Sequence, residues 1–251
     1  MKMILITGCS SGFGLETAKY FLERGWKVIA TMRVPDATVL PPSEHLRVLP
    51  LDVTKLESIR SVIEAAGPID ALVNNAGIGT MCALEGAPME RFREIFDTNT
   101  FGTIAMSQAV IPQLRERRSG VIVNVTSTVT LKSIPLLSIY TASKAAINAF
   151  TECLALELQQ FNVRACLVLP GRAPDTRFAE NARVQALTFP EPYVGLAQMI
   201  FAEFANSTGP VTHSKDVAEA VWKTVTDPST PAFLPAGADA IAWAEERDAR
   251  R

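Results

Sequence analysis

Three side chains in the middle of the chain carry groups that can move a proton: the hydroxyl of Ser127, the phenol of Tyr140 and the ammonium of Lys144. Tyr140 and Lys144 are four residues apart, so on a helix they project from one face. When a hydride reaches a carbonyl carbon, the oxygen takes the displaced electron pair and needs a proton. A phenol supplies one if its pKa falls from about 10 toward the working pH. A nearby cation favours the phenolate, which assigns that lowering to Lys144. Ser127 would donate a hydrogen bond to the oxygen as charge develops on it. A Tyr and a Lys at this spacing are common by chance. The weight comes from Ser127, at the end of the strand-like run Val121 to Thr126, the edge at which open α/β sheets bind ligands. Asn99, in Asp97-Thr98-Asn99-Thr100, is a fourth candidate: it either orients Lys144 or a proton-carrying water, or is a polar kink in a helix.

A second constellation lies at the start of the chain, where Thr7-Gly8-Cys9-Ser10-Ser11-Gly12-Phe13-Gly14 joins a short apolar run to a helical segment. Helix N-termini leave backbone N–H groups free, and glycines let a pyrophosphate approach them. A loop of this kind signals cofactor binding only when a strand precedes it and a helix follows, as here. Gly8, Ser10, Ser11, Gly12, Phe13 and Gly14 are therefore candidate cofactor contacts. Folds that take NAD place an acidic residue about 20 positions past the glycines. Here that place reads Thr31-Met32-Arg33. No carboxylate repels a 2′-phosphate, and the planar fork of Arg33 suits one, so NADP(H) is expected over NAD(H). The alternatives are a solvated strand-end arginine at Arg33 and a plain turn serine at Ser11. Asp52, followed by Val53, either accepts from an adenine amino group or caps the segment from Thr54. Asn74-Asn75-Ala76-Gly77 closes a strand with small and amide residues, which lets a cofactor lie against the backbone.

Those residues need a frame. Short β-branched apolar runs alternate with longer segments of helical period, the pattern of βαβ units and a parallel sheet covered on both faces. Strands are predicted at Met3 to Thr7, Lys27 to Thr31, Leu46 to Leu49, Ala71 to Asn74, Val121 to Thr126 and Arg164 to Leu169. Helices are predicted near Leu15 to Arg24, Leu56 to Ala65, Arg91 to Arg117 and Thr141 to Gln160. One doubly wound α/β domain over residues 1–251 fits them all. From Gly171 to Pro210, scattered Pro and Gly accompany many large apolar residues, among them Phe178, Leu187, Phe189, Tyr193, Leu196, Met199, Ile200, Phe201 and Phe204. This segment reads either as core helices joined by turns or as an apolar lid over a site. Ala244 to Arg251 reads as an exposed charged tail.

Composition narrows the function. With 251 residues, 48% hydrophobic and 20% charged, the chain can bury one large core without a separate substrate domain. Its 24 basic and 26 acidic residues leave a net charge of −2 with no long run of one sign. That gives no footprint for nucleic acid or an anionic membrane and points to a small-molecule substrate. Cys9, Cys82, Cys153 and Cys166 form no CxxC pair and stand apart from His45 and His213. Neither a metal site nor a disulfide framework is expected, and reduced thiols in a cytoplasmic protein are. The run Met3-Ile4-Leu5-Ile6 is too short for a signal-peptide core or a membrane span.

Taken in order, the motifs resemble the short-chain dehydrogenase/reductase family in its single-domain branch. They are Thr7-Gly-Cys-Ser-Ser-Gly-Phe-Gly14, Asp52, Asn74-Asn-Ala-Gly77, Asn99, Ser127 thirteen residues before Tyr140, Tyr140-Thr-Ala-Ser-Lys144 and Pro170-Gly171. The resemblance covers Met3 to about Thr176. It implies a Rossmann fold and a catalytic set at Ser127, Tyr140, Lys144 and Asn99. It also implies reversible alcohol/carbonyl oxidoreduction with a nicotinamide cofactor. Tyr140 and Lys144 would also touch that cofactor, Lys144 at the nicotinamide ribose, with Pro170, Gly171 and Thr176 completing the seat. The glycine loop with Thr31-Met32-Arg33 is most similar to the NADP-using hydroxysteroid and retinol-type subgroup. That implies a lipophilic ketone, aldehyde or alcohol, in keeping with Val129, Leu131, Ile134, Leu136 and Leu137.

Two departures stand out. Arg172-Ala173-Pro174-Asp175 delays the cofactor-contacting threonine to Thr176 and brings Arg172 toward the site. The segment Ala232-Phe233-Leu234-Pro235 and the residues after it read as a turn and a polar helix, where tetrameric members end in a strand. A homodimer through the helices near Met106 and Ala146 is therefore expected, with a tetramer the alternative. Two other functions fit less well. A cofactor-binding sensor needs neither Ser127 nor Tyr140, Lys144 being the one of the three that could serve binding, and a nucleotide-sugar epimerase generally needs a longer C-terminal substrate region.

Overall fold

The structure, a computed structural model, describes residues 1–176 and 189–249. The expected residues Phe178 and Leu187 lie outside them. The described residues form one seven-stranded sheet of β1 (Met3–Thr7), β2 (Lys27–Met32), β3 (Leu46–Pro50), β4 (Ala71–Asn74), β5 (Gly120–Val125), β6 (Val163–Pro170) and β7 (Phe233–Ala236). All pairings are parallel, in the order β3-β2-β1-β4-β5-β6-β7. The chain moves outward from β1 to β3 and then returns past β1 to β4, so the order reverses between β1 and β4. In such sheets ligands bind in the crevice that opens there, beyond the strands' carboxyl ends.

Helix α1 (Gly12–Leu22) follows β1, α2 (Leu56–Ala66) follows β3, α3 (Met89–Phe96) and α4 (Gly102–Arg117) follow β4, and α5 (Ser138–Gln159) follows β5. After β6 come α6 (Val194–Asn206), α7 (Ser214–Thr226) and α8 (Ala238–Ala249). Burial on both faces explains why β1 has no polar alternation: Ile4, Leu5 and Ile6 are all fully buried. Ile4 and Ile6 pack with Phe21, Val217 and Val221 of α1 and α7. Leu5, between them, points the opposite way, into Met106, Val110 and Leu154 of α4 and α5. Each such fully buried side chain contributes about 1.5–3 kcal/mol.

Three expectations are corrected. Phe233–Ala236 is a strand rather than a turn, paired with β6 in the register Leu169↔Pro235. It lies at the sheet edge, where one side of the backbone is unpaired and a proline is tolerated. Ala244 onward is no free tail, since α8 runs to Ala249. The helix expected over Arg91 to Arg117 is α3 and α4 separated by one π-helical turn, Asp97–Phe101. Met106 is itself fully buried in the core, and Phe101 and Gln108 are the exposed residues of that stretch of helix.

Candidate active site

The glycine loop is knitted to the end of β4. Gly8 has φ +75°, and a Cβ there would lie 2.8 Å from the Ala76 Cα, so only glycine lets the two segments meet. The Thr7 hydroxyl accepts from the amides of Asn75 (3.0 Å) and Ala76 (2.9 Å). In return Asn75 Nδ2 donates to the carbonyls of Thr7 (2.9 Å) and Gly8 (3.1 Å). Cys9 is buried beneath the loop, its thiol pushed up to about 12 by burial. α1 starts at Gly12, and Ser11 before it is extended and makes no capping hydrogen bond. The first N–H groups of α1 are thus left without an intrahelical partner. Thr176 closes the other side, its methyl and Cβ 3.5 Å from where a Gly12 Cβ would sit. Phe13 lines the adjoining cleft, Gly14 packs against Gly8, and Ser10 is exposed.

Arg33 is exposed just past the end of β2. Burial pushes the Asp52 carboxyl up, but the Thr54 hydroxyl and amide, with Lys55 and Arg33, hold it below its ordinary value. Asp52 Oδ1 accepts from Thr54 N (3.0 Å) and Thr54 Oγ1 (2.7 Å) in the turn ahead of α2, which starts at Leu56 with Lys55 as its N-cap, so the carboxylate closes a local turn and does not cap the helix. Val53 is buried against Gly102 at the start of α4.

Ser127, Tyr140 and Lys144 converge beyond β5, all three less than a tenth exposed. Val129 N–H donates to Ser127 Oγ at 3.3 Å, which anchors the serine in the turn after the strand. Burial raises the Tyr140 phenol well above its ordinary pKa, and a hydrogen bond with Ser127 pulls it back in part. Lys144 Nζ stands 6.0 Å from the Tyr140 ring centroid and donates to the Val125 carbonyl at 3.1 Å. Burial lowers its own pKa from 10.5 to about 8. The expected lowering of the phenol by Lys144 is therefore reversed: both groups lose hydration, and each is driven toward its neutral form.

Asn99 lies in the π turn between α3 and α4, the polar kink that was one of its two alternatives. Its Oδ1 accepts from Ile78 N at 2.8 Å, and its Nδ2 donates to Ile78 O (2.9 Å) and Ser143 Oγ (3.1 Å). It binds the backbone just past Gly77 rather than Lys144. Ser143 in turn donates to the Tyr140 carbonyl at 2.7 Å, and Thr100 Oγ1 to the Ser143 carbonyl at 3.1 Å. Ser143 thus connects the π turn to the helix that carries Tyr140, a role its place in Tyr-Thr-Ala-Ser-Lys did not disclose. Gly77 sits between them: a Cβ there would lie 3.2 Å from Asn99 Oδ1 and 3.4 Å from Lys144 Nζ.

A cavity of about 280 Å³ opens over Ser127 and Tyr140, walled by Val129, Ile134, Leu137, Phe201, Phe204 and Trp243. Leu136 and Leu131 instead pack into neighbouring clusters with Ile200 and Ile147. Pro170, Gly171, Arg172 and Thr176 form the edge toward the glycine loop. The Arg172 guanidinium turns outward to the carbonyls of Phe204 (3.1 Å) and Ser207 (3.4 Å) at the end of α6. Its amide donates to Asp239 Oδ2 at 2.6 Å, and Thr212 Oγ1 donates to Asp239 Oδ1 at 2.6 Å. No motif or spacing pointed to Asp239, Thr212 or Trp243.

Residues 2–186 match the family model for short chain dehydrogenase. This chain belongs to the short-chain dehydrogenase family. As such it is an oxidoreductase. It is 40% identical over 191 residues to a 3-ketodihydrosphingosine reductase of Bacteroides thetaiotaomicron, covering 74% of this chain and 69% of that protein. It is 38% identical over 181 residues to human retinol dehydrogenase 8, covering 68% of this chain and 58% of the other, less than two thirds of its length. A short-chain dehydrogenase from Streptomyces avermitilis superposes with a TM-score of 0.84 at 31% identity, over 100% of this chain and 93% of that one. One from Burkholderia cenocepacia, in complex with NADP, gives 0.79 at 27% identity, over 99% and 95%. Among the described residues no helix is long and apolar enough to cross a membrane, and no cluster of His, Cys, Asp and Glu could hold a metal ion.

Proposed function

We propose that this oxidoreductase interconverts a carbonyl and an alcohol on a lipophilic small molecule with NADP(H), using Tyr140 as general acid and base. The observation that carries the reading is the Ser127–Tyr140 pair facing an apolar cavity whose far edge is the glycine cradle. A dinucleotide fits that cradle. The uncapped start of α1 and Ser11 suit a pyrophosphate. The exposed Arg33 suits a 2′-phosphate, and the exposed backbone of Gly77 beside Lys144 suits the nicotinamide end. Bound there, the cofactor supplies or accepts a hydride.

The protein's own groups handle the oxygen. In reduction the carbonyl oxygen receives the C=O electron pair and Tyr140 gives it the phenol proton, which leaves a phenolate. Ser127 donates a hydrogen bond to the same oxygen, and the Lys144 ammonium faces the phenolate across a water-poor site. A phenol held above its ordinary pKa is protonated at neutral pH, so Tyr140 starts as a donor. Lys144, near 8, is then mostly charged. The names of the sphingosine-type and retinol relatives support a lipophilic substrate. The test is loss of reduced-nicotinamide absorbance with NADPH and NADH, in parallel, on aliphatic, aromatic and steroidal carbonyls. NADPH-selective turnover that Tyr140→Phe abolishes is expected. NADPH binding without turnover on the panel would move the assignment to a cofactor-binding sensor.

A further inference from the structure

The C-terminal helix α8 touches the site at two places that belong to different parts of the chain. At its first turn Asp239, 4% exposed, accepts from the Arg172 amide, from Thr212 Oγ1 and from the Ala240 amide at 2.9 Å. This fixes α8 to the loop that leaves β6 and borders the cavity. Four residues on, and therefore on the same face, Trp243 forms part of the cavity wall. Its ring is held from the other side by Lys132, whose ammonium lies 5.1 Å from the ring centroid and 4.0 Å from Glu246. Lys132 in turn follows directly on the turn Thr128–Thr130 that begins at Ser127, with its amide donating to the Thr128 carbonyl at 3.2 Å.

We propose that α8 is a specificity wall, with Trp243 as the residue that selects substrates by the size of the group beside the reacting carbonyl. This rests on reading the cavity as the substrate site. An indole is large and stiff; Asp239 anchors the helix that carries it, and the ring cannot swing aside for a larger ligand without giving up its contact with Lys132. Trp243 shares the cavity wall with the apolar Val129, Ile134, Leu137, Phe201 and Phe204, so it would touch substrate. The remaining tryptophans, Trp26 and Trp222, pack edge-on against Phe21 in another part of the fold.

The experiment compares wild type, Trp243→Ala and Trp243→Phe with a series of ketones graded in bulk. It measures kcat/KM with NADPH, calorimetric affinity of the same ketones for the NADP+-loaded protein, and affinity for NADPH alone. Trp243→Ala is expected to raise the ratio of bulky to small ketone at least about tenfold, in turnover and in binding. Trp243→Phe should move it less in the same direction, and serves as the decisive variant should the alanine protein fail to fold. NADPH affinity should stay within about twofold. An unchanged ratio, or losses shared equally by all ketones and NADPH, overturns the proposal. If the wild type turns over no ketone, the proposed activity fails while the binding ratio still decides the role of Trp243. A wild type that binds none of the series overturns both.

Discussion

Replacing Lys144 by Met is expected to stabilise the protein by an amount that depends on pH. Lys144 is 6% exposed, and burial takes its pKa from 10.5 to about 8. Each unit between unfolded and folded pKa is worth about 1.4 kcal/mol, so carrying the charge inside the fold costs about 3 kcal/mol. The sign follows from proton counts. Between pH 8 and 10.5 the unfolded chain holds a proton that the folded one has shed, so wild-type stability rises with pH across that window. Below 8 both states are charged and the cost is complete. Methionine has a similar reach and no charge, so its advantage is full below pH 8 and fades as pH climbs toward 10.5. Losing the hydrogen bond to Val125 subtracts about 1–2 kcal/mol at every pH, which displaces the curve without bending it. Tyr140, raised by burial in the fold of both proteins, cancels in the difference. Urea unfolding of the two proteins from about pH 6.5 to about pH 10, without cofactor, should show the difference shrink by about 3 kcal/mol. A difference that stays flat would mean that Lys144 carries no desolvated charge, and the argument for its role beside a phenolate would lose its physical basis.

Arg33→Ala should weaken NADPH at least about tenfold more than NADH, read by fluorescence titration, because only the former has a phosphate for the guanidinium to hold. Equal losses would remove Arg33 from the cofactor site. Asp239→Ala should destabilise the fold by about 3 kcal/mol in urea, since three donors lose a buried acceptor, and a loss below about 1 kcal/mol would show that the carboxylate is not the anchor of α8. Brief treatment of the native protein with iodoacetamide at about pH 8 should place one adduct, on the exposed Cys153. Burial raises the thiols of Cys9, Cys82 and Cys166, so early labelling of any of these, seen by peptide mass, would contradict their packing.

The sheet was readable because a strand buried on both faces leaves an apolar run that nothing else of that length produces. β1, β2, β4, β5 and β6 announced themselves in this way to within a residue or two, and the edge strand β3 did so through Leu46, Val48 and Leu49 although none of its residues is fully buried. β7 did not, being four residues long, at an edge, and holding Pro235, which ordinarily argues against a strand. The proton-moving trio was readable through spacing and position at a strand end. What spacing could not convey is burial. The opposed shifts of Tyr140 and Lys144 come from lost hydration, a property of the packed cavity. The contacts that hold the cavity walls were equally hidden. Arg172 and Asp239 are 67 residues apart, and neither sits in a recognisable motif. Asn99 was legible as a candidate, yet its partner Ile78 was not, because helical periodicity carries no mark of the widened turn that aims it.

That widened turn has a consequence for how the protein can change. A π turn is an α-helix with one residue too many, so Asp97–Phe101 behaves as a single-residue insertion locked between two regular helices. Deleting one residue would restore an ordinary helix at no cost in local hydrogen bonds. Because five residues of a π turn cover about the arc that four cover in an α-helix, the helices on either side would keep their faces. Phe92 and Ile95 of α3 would stay in the core, while Asn99 would turn from Ile78 and Ser143. The five residues 97–101 therefore tolerate changes of side chain far better than changes of number, and a length polymorphism of one at this place should be lethal to the site where a conservative substitution is not.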